Sequence, residues 1–337
     1  MTISASGVVS AADIRTEYGL SGEVSFADLY RGGTYVRAKA ANNNGTNLAA
    51  SVPTSGTLTF DNFRGTAKAF RYTYTTGATN QNASALFGDD YAVNYPKEIV
   101  INSGVELGAT SVTQEALQID AGGAGLITVT NNGILSGAGA AFLGSTGGDA
   151  FEANVACTLV NNGTIRSGGG TGGSGGQGSY SSTSDETRYN NSSNSNGYHW
   201  YGEYANGTHF RWGSVIRAHN DQTVVTYGGA TYYRGTAQET INFYGYWSIR
   251  RVATSTAYSN GGYGGAGQGY NQSAGNGTSG GTNAGNGGTG GSFGQSGNTG
   301  VNGNHTNGTA GNAAGKSIRG ISLVTLTDNG TVQGGTA

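Results

Sequence analysis

Ile127-Thr128-Val129-Thr130-Asn131-Asn132-Gly133 returns further along the chain as Cys157-Thr158-Leu159-Val160-Asn161-Asn162-Gly163. A third copy, Val324-Thr325-Leu326-Thr327-Asp328-Asn329-Gly330, arrives only after a much longer interval. In each copy apolar residues alternate with threonine, which is strand periodicity, and Asn-Asn-Gly or Asp-Asn-Gly supplies a turn. The inward-type positions hold Ile127/Val129, Cys157/Leu159 and Val324/Leu326. A looser relative, Ile99-Val100-Ile101-Asn102-Ser103-Gly104, precedes the first copy, and its Asn102 is expected to align with Asn131. A β-type unit recurring at fixed spacing is the mark of a stacked β-coil. A period of about 30 residues suits three sides of roughly ten residues, at ~3.3 Å per strand residue. The coil is expected over 97–167, with Ile119, Leu126, Ile134 and Leu135 as further apolar strand positions, and residues 316–337 return as its final rung. The large insertion between the second and third copies is the expected working part.

Composition narrows the class. The 337 residues leave room for two or three domains. With 64 Gly but only 2 Pro the chain is not collagen, and a net charge of −2 with 10% aromatic residues is unlike ordinary disorder. So low a net charge argues against nucleic acid or an anionic membrane as the main partner. No apolar run is long enough for a membrane span, so no membrane insertion is expected. Met1 to Gly7 has neither the basic start nor the apolar core of a secretory signal, so synthesis in the cytoplasm is expected. Cys157 is the only cysteine; it excludes an intrachain disulfide and reads as a buried, inert thiol.

Residues 1–66 carry a different repeat: Ser6-Gly7-Val8-Val9-Ser10 leading to Asp13-Ile14, Ser21-Gly22-Glu23-Val24-Ser25 leading to Asp28-Leu29, and Ser55-Gly56-Thr57-Leu58-Thr59 leading to Asn62-Phe63. Ser10, Ser25 and Thr59 stand where an N-cap would, with Asp or Asn three positions on. Each copy therefore predicts a turn feeding a short capped helix. Nothing in it looks catalytic, and an attachment module is the expected role. Residues 67–96 are Tyr- and Thr-rich and read as a β-connection, with a strand from Ala69 to Thr75.

From 168 to 315 glycine takes over. Residues 168–178 hold eight Gly in eleven, and residues 261–315 hold 22 in 55. Gly285, Gly288, Gly291, Gly294, Gly297, Gly300 and Gly303 form a series of period three. Without proline, that period suits left-handed extended helices of three residues per turn, which satisfy one another's backbone groups when packed side by side. The competing reading is a flexible Gly/Ser/Asn linker. Between the tracts, residues 180–260 gather all three Trp, eleven of twenty Tyr and three of four His. The knots are Tyr198-His199-Trp200-Tyr201, His209-Phe210-Arg211-Trp212, Tyr232-Tyr233-Arg234 and Tyr244, Tyr246 and Trp247. Rigid rings among Ser, Gly and Asn are the composition of recognition loops, so these residues form the expected receptor-binding set. The competing reading has the rings packing on one another over the glycine rods.

Two resemblances give this pattern a context. Gly22-Glu23-Val24-Ser25-Phe26-Ala27-Asp28-Leu29-Tyr30-Arg31-Gly32 looks like the starts of bacteriophage tail and virion structural proteins. Glycine tracts alternating with an aromatic segment, and Asn-Asn-Gly copies running into glycine as at Asn161 to Gly176, resemble the distal adhesins of T-even-like long tail fibres and glycine-rich phage central fibre tips. The resemblance implies a mainly β, non-enzymatic virion protein with a β-helix or β-prism stalk. It also implies a polyglycine-II tip whose aromatic loops touch a bacterial receptor, whether an outer-membrane protein or a surface glycan. Docking to other tail proteins through residues 1–66, a place at the distal tip of the tail and a homotrimer follow from the same likeness. The chain departs from the adhesins in showing only two long glycine tracts and in carrying the leading module.

Rival classes find less support in the residues. A depolymerase would need paired carboxylates; Asp149/Glu152, Asp185/Glu186, Glu203, Asp221 and Glu239 are the candidates, and none sits in a motif. His199, His209 and His219 lack partners at ligand-type spacing, and no Gly-Lys-Ser/Thr phosphate loop is present, so neither metal nor cofactor is expected. A glycine-rich structural or ice-binding protein also uses such rods, but the aromatic insertion argues against a flat ice face.

Overall fold

The computed structural model describes the backbone of residues 2–141, 144–190, 200–203, 209–212, 224–227, 230–241 and 244–337, with side chains described up to 182 and from 255. The chain divides into two units, Met1–Gly178 with Asn260–Ala337, and Ser179–Ser259.

The three N-terminal copies fold as their pattern predicts. Ser10 caps the helix Ala11–Tyr18, Ser25 caps Phe26–Leu29, and Thr59 precedes the 3-10 turn Phe60–Phe63. In each copy the acid or amide reaches back: Asp13 accepts from the Ser10 N–H at 2.8 Å, Asp28 from Ser25 at 3.2 Å and Asn62 from Thr59 at 2.8 Å. Gly7, Gly22 and Gly56 ahead of the caps all take positive φ, which explains the shared glycine. Val9, Ile14, Tyr18, Val36, Val52 and Phe63 form a small core of their own. Buried Asp90 ties this region to the sheets. It accepts from the Arg37 guanidinium at 2.9 Å, the Ala40 N–H at 2.7 Å and the Asn43 amide at 2.9 Å. Burial opposes its charge, but those donors outweigh burial and hold its carboxyl below the usual range.

Beyond the N-terminal region lie three sheets, which the chain visits in the same order five times. The long sheet stacks Phe70–Tyr74, Lys97–Ile101, Ile127–Asn131, Cys157–Asn161 and Val324–Asp328 in parallel, with Thr46–Asn47 antiparallel on its first edge. The second sheet stacks Ala78–Thr79, Glu106–Gly108, Ile134–Ser136, Thr164–Arg166 and Thr331–Gln333. The third stacks Gln81–Asn82, Leu117–Ile119, Phe151–Ala153, Lys316–Arg319 and Gly335–Thr336. Ile99, Ile119, Ile127, Val129, Leu135, Leu159, Ile165 and Ile318 meet in one core. The good copies pair as their sequences align: Thr128 lies opposite Thr158, and Thr158 opposite Thr325.

Five expectations need correction. Ile101, not Asn102, lies opposite Asn131, so aligning the loose copy by its asparagine puts it out of register. A slip of that kind would have turned its apolar face outward. Leu126 is 60% exposed, because it precedes the strand and neighbours the inward Ile127. The first circuit begins at Phe70, before residue 97, and Lys316–Arg319 completes the fourth circuit before the last one starts. Leu326 occupies an inward position yet is 36% exposed, since no strand among the described residues covers the last circuit.

Two amide ladders run through the turns. Buried Asn131 donates to Asn161 at 2.8 Å, and Asn161 donates to Asp328 at 2.8 Å. Beside it, Asn329 donates to Asn162 at 3.0 Å and Asn162 to Asn132 at 2.9 Å. Cys157 is buried as expected, and burial pushes its thiol up to about 11.

Asn161→Ala strands buried Asn131 and removes the donor to exposed Asp328, and should cost about 2 kcal/mol in denaturant unfolding; an unchanged midpoint would show the ladder to be idle. Asp90→Asn should cost about 3 kcal/mol at neutral pH. Because the folded Asp90 has the lower pKa, its contribution is present above about pH 4 and fades as pH falls further. The stability-against-pH curve of the variant should therefore be flatter than the parent's in that acid range.

Candidate functional site

The glycine tracts form six rods, 168–178, 260–269, 272–281, 284–292, 295–304 and 306–315, bonded to one another at every third position. The N–H groups of Gly169, Gly172 and Gly175 donate to Gln268, Gly265 and Gly262 at 2.7, 2.8 and 2.8 Å. Those of Gly170, Gly173 and Gly176 donate to Gln295, Asn298 and Val301 at 3.1, 2.9 and 2.9 Å. Gly285, Gly288 and Gly291 return bonds to Gly176, Gly173 and Gly170, while Thr309, Asn312 and Gly315 reach Ser174, Thr171 and Gly168. With the remaining pairs, the bonds define two rows of three: 260–269, 168–178 and 306–315 in one, and 272–281, 284–292 and 295–304 in the other. The middle rod of each row, 168–178 and 284–292, is paired with four of the other five, and 168–178 is the hub of the row that joins the sheets.

Only glycine fits these contacts. A Cβ on Gly172 would lie 2.0 Å from the Gly288 oxygen, on Gly173 1.9 Å from the Thr309 oxygen and on Gly175 1.9 Å from the Gly285 oxygen. At the rims, side chains finish the bonding: Thr278 accepts from the Tyr263 N–H at 2.7 Å, Thr309 from Ser174 at 2.8 Å and Thr306 from Gln177 at 2.7 Å. Asn271, Asn283 and Gly294 take positive φ at the reversals between rods. The seven-glycine series is thus not one rod. It folds back at Gly294, which places Gly285, Gly288 and Gly291 on one rod and Gly297, Gly300 and Gly303 on the next. Two tracts in the sequence become six rods for the same reason.

Side chains moor the rods to the three sheets. Phe293, at a reversal, lies under the Arg166 guanidinium at 3.9 Å, and Arg166 also holds Glu106 at 2.8 Å. Tyr270, at another reversal, covers Gly108, where a Cβ would meet its ring. Asp149, with its side chain 4% exposed, accepts from the Lys316 N–H at 2.5 Å and pairs with Arg319. Arg319 also approaches Glu152 at 3.9 Å, and Glu152 accepts from Gln118. Burial raises the pKa of Asp149 and of Glu115, and for Glu115 the charges of Glu152 and Asp149 add to it. The Asp149/Glu152 pair, a candidate for acid–base chemistry in sequence, is thus engaged in clamping the strand on which the insertion returns.

Within the second unit, Gly178–Asn190, Tyr244–Ser259, Ala230–Ile241 and Val224–Tyr227 form a four-stranded sheet in that order. A separate hairpin pairs Trp200–Glu203 with His209–Trp212. Trp200 lies opposite Trp212, Tyr201 opposite Arg211, Gly202 opposite Phe210 and Glu203 opposite His209. Two of the aromatic knots are therefore register partners. Tyr232 pairs with Arg251, Tyr233 with Arg250, Arg234 with Ile249, Gln238 with Trp247, Glu239 with Tyr246 and Ile241 with Tyr244. These residues lie on strands, not on the loops expected of them, because Tyr, Thr, Val and Trp favour the extended backbone. Tyr198, His199, His219 and Asp221 fall outside the described residues, as do the side chains of Asp185, Glu186, Glu203 and Glu239. Tyr263, on the rod 260–269, is an exposed ring of the first unit; one large side chain at an outward triplet position is its only signal in the sequence.

Among the described residues no group of three or more His, Cys, Asp or Glu could hold a metal, and no helix is long and apolar enough to cross a membrane. No protein family, no curated protein and no solved structure matches this chain.

Gly172→Ala should separate the hub from the rod carrying Gly288, at a cost of about 3 kcal/mol. Amide exchange at Gly265 and Gly288 should then quicken about a hundredfold, while the exposed change Ala310→Ser leaves it unaltered.

Proposed function

We propose that this chain is a non-enzymatic bacteriophage tail-fibre or tail-tip adhesin that recognises a bacterial surface receptor, an outer-membrane protein or a surface glycan. The observation that carries the reading is the two-row, backbone-bonded array of glycine rods, from which the aromatic segment 179–259 leaves and to which it returns. A scaffold ordered before contact loses little entropy on binding, which is what an adhesin needs. In this reading the three sheets are a β-helical stalk and the rods are polyglycine-II helices. Residues 1–66 dock to other tail proteins at the distal tip of the virion. The rings and guanidinium groups of Trp200, Tyr201, His209, Phe210, Arg211, Trp212, Tyr232, Tyr233, Arg234, Tyr244, Tyr246 and Trp247 supply the contact, together with Tyr198 and His199. Large aromatic and Arg side chains are the residue types that dominate binding free energy. A homotrimer is the expected assembly. Since the sheets pair within one chain, trimerisation adds avidity rather than closing open edges.

Trp200→Ala with Trp212→Ala should weaken binding of the purified chain to host cells at least about tenfold, with thermal unfolding of the stalk unchanged. Tyr201→Ala with Arg211→Ala gives an independent reading of the same hairpin. Full binding by both double variants would remove the hairpin from the contact. Release of new reducing or unsaturated ends from capsule or lipopolysaccharide by the intact protein would replace adhesion with cleavage.

A further inference from the structure

The three N-terminal copies hold one another in a closed ring. Arg15, two residues past Asp13 in the first copy, donates through both terminal guanidinium nitrogens to the Gly22 carbonyl of the second at 3.3 Å. Tyr30, two past Asp28, donates its hydroxyl to the Gly56 carbonyl of the third. Arg64, two past Asn62, donates to the Gly7 carbonyl of the first. Donor and acceptor thus hold the same place in every copy, and the bonds run one way round. Val9 and Ile14 from the first copy, Leu29 from the second, and Leu58 and Phe63 from the third meet in one core. Head-to-tail contacts of one kind close only when the rotation between copies suits their number, so the module has an approximate three-fold axis. Residues 7–64 close the ring without either end of the chain.

What the ring leaves outside repeats as well. Ser6-Gly7, Ser21-Gly22 and Ser55-Gly56 are exposed, and a Cβ on any of these glycines would meet nothing within 4 Å. The residue after the cap is Phe26 in the second copy and Phe60 in the third, 69% and 54% exposed, with the small Ala11 in the first. Neither phenyl ring belongs to the module's core. A large apolar side chain left in water twice, at one repeated position, marks a contact with something outside the chain. Residues 1–66 hold five cations and five carboxylates. Asp13 and Asp28 are engaged in caps, and Arg15 and Arg64 in the ring. A surface complementary to this one is therefore apolar and without a charge of one sign.

We infer that the ring seats on the end of a three-fold symmetric assembly of another protein, whose three identical chains each offer an apolar pocket to one copy. A partner that shares the axis repeats its contact from copy to copy in a single docking event, so weak pockets add up. A partner without the axis engages one copy and leaves the other phenyl ring in water. One chain then stands on three partner chains, in place of the homotrimer that the fibre likeness implies. The inference rests on the reading of residues 1–66 as an attachment module.

The test uses phage particles carrying the full chain, with Phe26, Phe60 or both replaced by the photo-cross-linker benzoylphenylalanine. On irradiation, either single replacement should link the chain to the same peptide of the same partner. The double replacement should yield one chain bearing two copies of that partner. Phe26→Ala with Phe60→Ala should lower the amount of chain on the particles at least about tenfold. Links to different peptides from the two positions, links to another copy of this chain, no link at all, or full loading of the double alanine variant would overturn the inference. The cross-links are read on the particle and host binding on the purified chain, so the docking inference and the adhesin reading fail separately.

Discussion

Where the rods touch, the carbonyl oxygen of one occupies the space in which its neighbour would hold a Cβ, and the rod array depends on that exclusion. A net backbone hydrogen bond is worth about 1 kcal/mol, whereas ordering a residue costs about 1–2 kcal/mol, and more for glycine. A single pair of rods cannot close that gap. An array can, because the hub 168–178 bonds to four neighbours and the rim threonines supply acceptors where no rod remains. The same exclusion explains why so few apolar side chains are needed here. Stability comes from backbone bonds and close contact, with Phe293 and Tyr270 mooring the rods to the sheets.

The sheets provide what the rods lack, a core of apolar side chains in fixed register. Their strands pair within one chain, so the rods start and finish on a rigid base: Ser167 directly follows one paired strand and Lys316 begins another. Lys97 shows how firmly that register is held. It sits in the column of Phe70 and Ile127, where a hydrocarbon would be expected. Its ammonium survives by donating to the carbonyls of Val93, Tyr95 and Ala124 at 2.8, 2.9 and 2.6 Å, although burial still pulls its pKa down to about 8.

Much of this could be read from residue patterns, and the reasons for the remainder are physical. Asn-Asn-Gly marked the circuits because stacked amides bond to each other, and the capping residues Ser10, Ser25 and Thr59 were legible because an N-cap is a local device. Phe70-Arg71-Tyr72-Thr73-Tyr74 escaped as a first circuit because it has no ladder amide, and Lys97 because a caged ammonium breaks the apolar pattern. Glycine period three announced rods but not their number, since the reversals at Asn271, Asn283 and Gly294 keep or barely disturb the period. In the aromatic segment, composition suggested recognition; the pairing of Trp200 with Trp212 depends on hairpin register, which no spacing in the sequence encodes.

Hydrogen exchange at the hub measures the central claim most directly. If the rods form the bonded array, the amides of Gly169, Gly172, Gly173 and Gly175 exchange as slowly as those of Val129 and Leu159 in the long sheet. Exchange at the rate of a free glycine-rich peptide, with the sheet still protected, would contradict it.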